Sequence, residues 1–366
     1  HAIITGISGV GKTTLGYNLA IELAKQNVNV VVFDWDRTWR NLLSLPRDKY
    51  PFVEHIRIFT IGRNDVAPFA WNLFFAPPPN VSFSNWLGIA SSRPLQKSLL
   101  AGQGVEDWLE GEAEKLMEAY QQGILKLLPN VKDIFKSLKK QFPIARQLLW
   151  KQSAERVLRD LMRDSVRELF GSRQPIDISK EILERKGITV IEMDVETPEA
   201  LRILFQELLL TYFMLYYLHK GEAEKEEIRT VAILEEFPNM LPKSQIEKQT
   251  GSEILRNLFK EGRKFGLGIV AISQEASELP NYVTANCKVQ FHFALQTARD
   301  INAAASSLFL KQEQIAFLDY IWRGQALAKI KGRVKNCLVK IPASPVKRRV
   351  SDDEIRSLQR TWHSRS

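Results

Sequence analysis

Gly6-Ile7-Ser8-Gly9-Val10-Gly11-Lys12-Thr13-Thr14 is the stretch on which the reading of this fold turns. Its spacing is GxxxxGK[ST], and its flanks suit it. His1 to Thr5 is a short apolar run that reads as a strand, and from Thr13 to Gln26 the leucines Leu15, Leu19 and Leu23 recur at helical spacing. A glycine-rich turn between a strand and a helix is the context in which this spacing cradles phosphates. Glycines let the chain bend so that its N–H groups face an anion, and the helix adds its positive end. The expected nucleotide contacts are Gly6, Ser8, Gly9, Val10, Gly11, Lys12, Thr13 and Thr14. Lys12 is expected to reach the β- and γ-phosphates of ATP, and Thr13 to give its hydroxyl to Mg²⁺.

Outward from the loop, strand and helix alternate. Asn29 to Phe33 is a continuous apolar, β-branched run ending at Asp34-Trp35-Asp36, and His55 to Ile61 reads as a further strand. After the break at Pro77-Pro78-Pro79-Asn80, strand signals fade and amphipathic helices can be drawn over Val105 to Leu127 and Ala145 to Leu169. Strand patterns resume at Ile188 to Met193, Thr230 to Leu234, Gly268 to Ser273, Val289 to Leu295 and Gln325 to Ile330. A long buried helix is expected over Glu199 to His219, and a helix from Glu253 to Phe265 stopped by Gly266. The pattern predicts an α/β fold with a mainly parallel sheet and an inserted helical bundle. Expected boundaries are 1–80 and 176–345 for the two parts of the core, 81–175 for the bundle and 346–366 for a basic tail.

A phosphate loop alone binds; hydrolysis needs metal support and a positioned water. In P-loop proteins the supporting acid ends a neighbouring buried strand. Val231-Ala232-Ile233-Leu234-Glu235-Glu236 fits, with Glu235 assigned to the magnesium shell and Glu236 to polarising the attacking water. Gln274, at the tip of the next strand, is placed to orient that water or to sense the γ-phosphate. Arg263 and Lys264 end a helix, where cations stabilise the C-terminal carbonyls; Arg263 also suits an arginine finger reaching a neighbouring subunit's ATP.

The chain of 366 residues is long enough for one large or two ordinary domains, and 45% apolar with 25% charged residues is a soluble globular composition. Its net charge of +9 is uneven: from Leu255 onward there are 19 Lys and Arg against 9 Asp and Glu. That third of the chain points to an anionic partner, nucleic acid first. Arg299, Lys311, Lys329, Lys331, Arg333 and Lys335 are candidates for DNA contact by charge alone. Nothing resembles a base-reading motif. Cys287 and Cys337 lack metal-ligand spacing and read as reduced thiols, which favours the cytoplasm. The longest apolar run, Leu208 to Leu218, is short of a membrane span and reads as a core helix. The chain starts without Met and only five residues before the loop, so a preceding segment is expected; any membrane anchor or further domain in it lies outside this sequence.

These pieces, in this order, resemble the HerA/FtsK superfamily of ring-forming ATPases, and more closely its HerA branch and the type IV secretion ATPases. The resemblance rests on His1-Ala2-Ile3-Ile4-Thr5-Gly6, on Phe33-Asp34-Trp35-Asp36, on the Glu235-Glu236 pair, and on Trp322-Arg323-Gly324-Gln325-Ala326. Its most specific part is Glu261-Gly262-Arg263-Lys264-Phe265-Gly266 followed by Ile272-Ser273-Gln274. It covers roughly 1–75 and 185–345. It implies a RecA-like P-loop NTPase core, a homo-hexamer with ATP at subunit interfaces, double-stranded DNA in a central channel, and Arg263 acting in trans. Phe237-Pro238-Asn239 stands where HerA relatives usually carry Ala-His, and their N-terminal β-barrel is absent here. Both departures point away from the resection helicase that works with a nuclease partner. Three functions follow: a DNA translocase or helicase, the ATPase of a conjugation, DNA-uptake or secretion machine docked on a membrane complex, and a P-loop scaffold that does not hydrolyse.

Overall fold

The computed structural model describes residues 1–96, 103–141, 145–224, 227–240 and 252–363. The chain divides into two compact units. The first comprises His1–Ile58, Glu184–Glu192 and Lys220–Ser351 and carries most of the sheet; the second comprises Phe59–Leu183, Met193–His219 and Asp352–Ser366.

The strands are β1 (Ala2–Thr5), β2 (Asn29–Asp34), β3 (Arg57–Ile61), β4 (Ile188–Met193), β5 (Thr230–Leu234), β6 (Leu267–Ser273), β7 (Val289–His292), β8 (Gln325–Ile330) and β9 (Cys337–Lys340). They form one sheet in the order β3-β4-β2-β5-β6-β1-β7-β8-β9. The pairs from β4 through β7 are parallel, and β8 and β9 turn back antiparallel. All residues of β2, β4 and β5 are buried, which is why they read as unbroken apolar runs rather than alternating ones. β9 was not anticipated. It alternates half-buried and exposed residues at the sheet edge, and four residues with one lysine give a weak strand signal.

Parallel pairing brings the carboxyl ends of the strands to one edge. Thr5 pairs with Ser273, and Leu234 lies between Phe33 and Ala271, so the residues after these strands emerge together. Helix α1 (Lys12–Lys25) lies close against the 3₁₀ turn after β2: a Cβ on Gly16 would sit 3.0 Å from the Trp39 ring. The helix Ser252–Glu261 runs into a tighter turn, Gly262–Phe265, and stops at Gly266 with φ of 76°, as expected of a left-handed glycine cap.

The second unit is mainly helical. Val131–Lys140 starts with a capping box, in which the Asn130 side chain accepts from Lys132 N at 3.0 Å and Asn130 N donates to Asp133 at 3.0 Å. Its core holds an aromatic cluster: Phe69 against Phe205 at 5.1 Å, Trp71 against Trp86 at 6.0 Å and Trp86 against Tyr212 at 5.9 Å. This cluster explains how the division differs from the boundaries read in the sequence. The helix Glu199–Lys220 lends its aromatic face to Phe69, Trp71 and Trp86, so up to His219 it belongs with the helical unit, which begins at Phe59 rather than 81. That helix is long and apolar enough to cross a membrane by composition, yet 72% of its apolar window is buried within the chain, as expected of a core helix. The tail is also split. Val350 N donates to the Asn41 side chain in the first unit, whereas the helix Asp352–His363 holds Asp65 through Arg356 in the second.

Candidate active site

The loop between β1 and α1 has the conformation its sequence implies. Gly6 has φ of 149°, and a Cβ there would lie 2.6 Å from Phe293 Cβ, so only glycine fits. Gly11, at φ of 119°, is the N-cap of α1 and has no side chain to satisfy the first-turn N–H groups, which are left for an anion. Lys12 is buried, its ammonium donating to the carbonyls of Gly6 at 2.7 Å and Ile7 at 2.9 Å. Burial lowers its pKa, while Glu236, Glu235 and Asp36 act to raise it.

The acids after β5 lie beside the loop. Thr13 Oγ1 donates to Glu235 Oε1 at 3.4 Å, so the two residues expected to share a metal ion are brought together. Glu235 is 5% exposed, and among the described residues its Oε2 is buried without a hydrogen-bond partner. A buried carboxylate oxygen beside a threonine hydroxyl fits Mg²⁺, a hard cation that takes oxygen ligands. Asp34, at the end of the adjoining β2, completes the acidic floor. Its oxygens accept from Trp39 N at 2.7 Å and Asp36 N at 3.1 Å. Burial first, then the nearby Glu235, pushes the Asp34 carboxyl well above the carboxylate range, and burial likewise raises Glu235. Two carboxyls taken out of water side by side resist carrying two charges, and a cation relieves that resistance.

Glu236 takes a left-handed backbone, φ 46°, which a glutamate adopts at a cost and which aims it differently from Glu235. Its Oε1 accepts from the Gln274 amide at 2.7 Å, and Gln274 Oε1 accepts from Ser8 Oγ at 2.9 Å. A continuous link therefore runs from the phosphate loop through the tip of β6 to the second acid.

A cavity of about 570 Å³ opens beside the loop at Gly9 to Thr14. Its far wall comes from both sides of the β8–β9 hairpin: Arg323, Gly324, Gln325, Lys340, Ile341 and Ala343. Gly324 N donates to Val10 O at 2.9 Å, which ties that wall to the loop. The sequence reading gave Arg323, Gln325, Lys340 and Asp34 no role at this site. Asp34 carried a signal, a lone charge closing a wholly apolar strand; the hairpin residues carried none, because β9 was unseen.

Arg263 is not in this constellation. It sits in the turn before β6, at the amino end of the strands, where Gly262 approaches the His1 ring and the Arg263 charge acts on the His1 amino group. The loop lies past the carboxyl end of β1, so Arg263 and Lys12 of one chain are on opposite edges of the sheet. Of the cations named as DNA candidates, Arg299 pairs with Glu278 at 3.2 Å, away from the other five, which line a single cavity with Lys288.

A family model described as the CobQ/CobB/MinD/ParA nucleotide binding domain matches residues 1–199. The fold is similar to that of VirB4 of Thermoanaerobacter pseudethanolicus at a TM-score of 0.68 and 15% identity, covering 95% of this chain and 90% of that one. It is also similar to the plasmid coupling protein TrwB in complex with ADP and Mg²⁺, at a TM-score of 0.65 and 16% identity over 97% and 87% of the two chains. For TrwB with a non-hydrolysable ATP analogue the TM-score is 0.66 at 16% identity, over 96% and 87%. At such identities the likeness is one of fold, and at that level it agrees with the resemblance to conjugation and secretion ATPases drawn from the motifs. No curated protein sequence is significantly similar to the chain.

Proposed function

We propose, from the premise that this chain belongs to the CobQ/CobB/MinD/ParA family of nucleotide-binding domains, that it is a Mg²⁺-dependent ATPase working in the cytoplasm as a homo-hexameric ring motor on double-stranded DNA. The observation that carries the hydrolytic part is the link from Ser8 through Gln274 to Glu236. An acid held this way has a fixed position relative to the phosphate loop, as a group that polarises a water must have. On this reading, the loop N–H groups from Gly9 to Thr14 hold the β-phosphate, and Lys12 turns from the Gly6 and Ile7 carbonyls to the β- and γ-phosphates. Thr13 and Glu235 would hold Mg²⁺, which would neutralise charge on the phosphate oxygens. Glu236 orients a water for in-line attack on the γ-phosphorus and draws its proton as the bond to the β–γ bridging oxygen breaks. The base and ribose occupy the cavity walled by Gln325 and Ile341.

Arg263 cannot serve its own chain's nucleotide from the opposite sheet edge. Its assigned role therefore requires a neighbouring subunit, in a head-to-tail ring. Duplex DNA as the track is supported by the basic last third of the chain. The fold likeness to VirB4 and TrwB supports a second reading equally, in which the same hydrolysis drives a conjugation or secretion machine.

Displacement of a third strand from triplex DNA separates the two. A motor on DNA strips it in an ATP-dependent manner that Glu236→Gln abolishes. Steady ATP hydrolysis without displacement moves the assignment to the secretion machine, and absence of sustained phosphate release leaves the scaffold.

A further inference from the structure

We propose that a cleft at the sheet edge opposite the nucleotide loop binds a single nucleic-acid strand, its lysines and arginine taking the phosphates and Phe309 stacking on a base. The inference goes beyond the motor reading, which concerns duplex DNA, and does not depend on hydrolysis.

The cleft has a volume of about 1350 Å³. It lies where β7 begins and where the turn between β8 and β9 projects. Six cations line it: Lys288, Lys311, Lys329, Lys331, Arg333 and Lys335. Glu313 is the one acid among the described residues of the wall. Among the described residues none of the six forms an ion pair, although acids balance cations over much of the molecule. A concave surface with one sign of charge and no internal counter-charge attracts a polyanion.

Charge alone would suit any anion; Phe309 narrows the choice. It follows the helix Ala298–Leu308 as its C-cap in a left-handed conformation, φ 54°, that a bulky side chain rarely adopts. That backbone closes the helix, and the residue is 83% exposed, so its side chain is presented to solvent rather than to the core. Hydrogen bonds hold this helix end. Lys329 Nζ donates to Ser307 O, Asn336 Nδ2 donates to Leu308 O at 2.8 Å, and Leu310 N donates to Ala305 O at 3.0 Å. The Lys329 ammonium lies 4.2 Å from the ring centroid and covers one face, so the opposite face is the one available. Lys329 is thus committed to the helix end and the ring, and the phosphates fall to the remaining five. An exposed aromatic ring among unpaired cations is how proteins hold unpaired bases, whose faces are open only when the strand is single. An acidic polypeptide would meet the charge but leave the ring unused.

The test is fluorescence anisotropy of labelled oligothymidylate without nucleotide, beside a duplex of equal length and a polyglutamate competitor. Single strand should bind more tightly than duplex. Phe309→Ala should weaken single-strand binding roughly tenfold and leave duplex binding within about twofold, with Phe309→Trp restoring it. Lys331→Glu, Arg333→Glu and Lys335→Glu together should weaken binding of both and reduce the slope of log K against log salt by about 2 for the single strand, as expected for three lost phosphate contacts. Unchanged thermal unfolding of each variant shows that the fold is kept; Phe309→Leu replaces Phe309→Ala, and glutamine replaces glutamate at 331, 333 and 335, where a variant melts early. Equal loss on duplex and single strand, or no loss on removing the ring, overturns the proposal. So does polyglutamate competing as well as oligothymidylate of equal charge, which would assign the cleft to an acidic protein. Failure of triplex displacement would leave all these outcomes readable.

Discussion

Gln274→Ala is the change that probes the candidate site most selectively. The side chain makes two bonds, to the Glu236 carboxylate at 2.7 Å and from the Ser8 hydroxyl at 2.9 Å. Gln274 is exposed, so losing them should alter folding stability by less than about 0.5 kcal/mol. With nucleotide filling the cleft and water excluded, the bond to the carboxylate is worth about 1.5–3 kcal/mol. If it is realised only while Glu236 draws the proton, kcat falls roughly 10- to 150-fold. The triphosphate is held elsewhere, by loop N–H groups and Lys12, so nucleotide affinity should stay within about threefold. Steady-state phosphate release gives the first number and equilibrium titration with a fluorescent ATP analogue the second. A cycle with Glu236→Gln sharpens the test: both changes cut one link, so the double variant should be little slower than the slower single one. An unchanged kcat, a nucleotide affinity that falls in step with kcat, or multiplicative single effects would refute the reasoning.

Two further outcomes follow from the structure. His292 is fully buried, with Thr5 Oγ1 2.8 Å from its Nδ1, and burial pushes its pKa down to about 4 from 6.5. The folded state therefore binds fewer protons than the unfolded one between these values, so stability is complete above about pH 6.5 and falls by roughly 3 kcal/mol as pH drops to 4. Urea melts across that range should show the acid loss, and His292→Gln should flatten it; a flat wild-type profile counts against a neutral buried imidazole. Separately, Arg263→Ala and Lys12→Ala should each silence hydrolysis, yet an equal mixture should recover activity at about a quarter of subunit interfaces, because the two residues serve one site from adjacent chains. Additive inactivity on mixing would place Arg263 outside the chemistry.

Much of the site was legible because its chemistry is local. The loop declares itself in nine consecutive residues, and Glu235, Glu236 and Gln274 each end a buried strand whose apolar run is plain. What joins them was not legible. The Ser8–Gln274–Glu236 link depends on β1 and β6 being neighbours with Thr5 beside Ser273, a matter of strand order rather than of spacing. Asp34 reaches Glu235 for the same reason, β2 lying next to β5. The helical unit reaches beyond 81–175 where composition changes smoothly but packing does not, since the partners of Phe205 and Tyr212 stand more than a hundred residues away in the chain. The clustering of five basic candidates into one cleft could not be read from charge, nor could the separation of Arg299 from them.

On this reading the loop, the two acids and Gln274 form a hydrolytic site coupled to DNA. This is tested most directly by the rate of phosphate release from Mg²⁺-ATP with and without duplex DNA, for the wild type and for Lys12→Ala. Sustained turnover is expected, accelerated by duplex DNA and removed by Lys12→Ala in both conditions. Turnover indifferent to DNA, or equal in the Lys12→Ala protein, would contradict the reading.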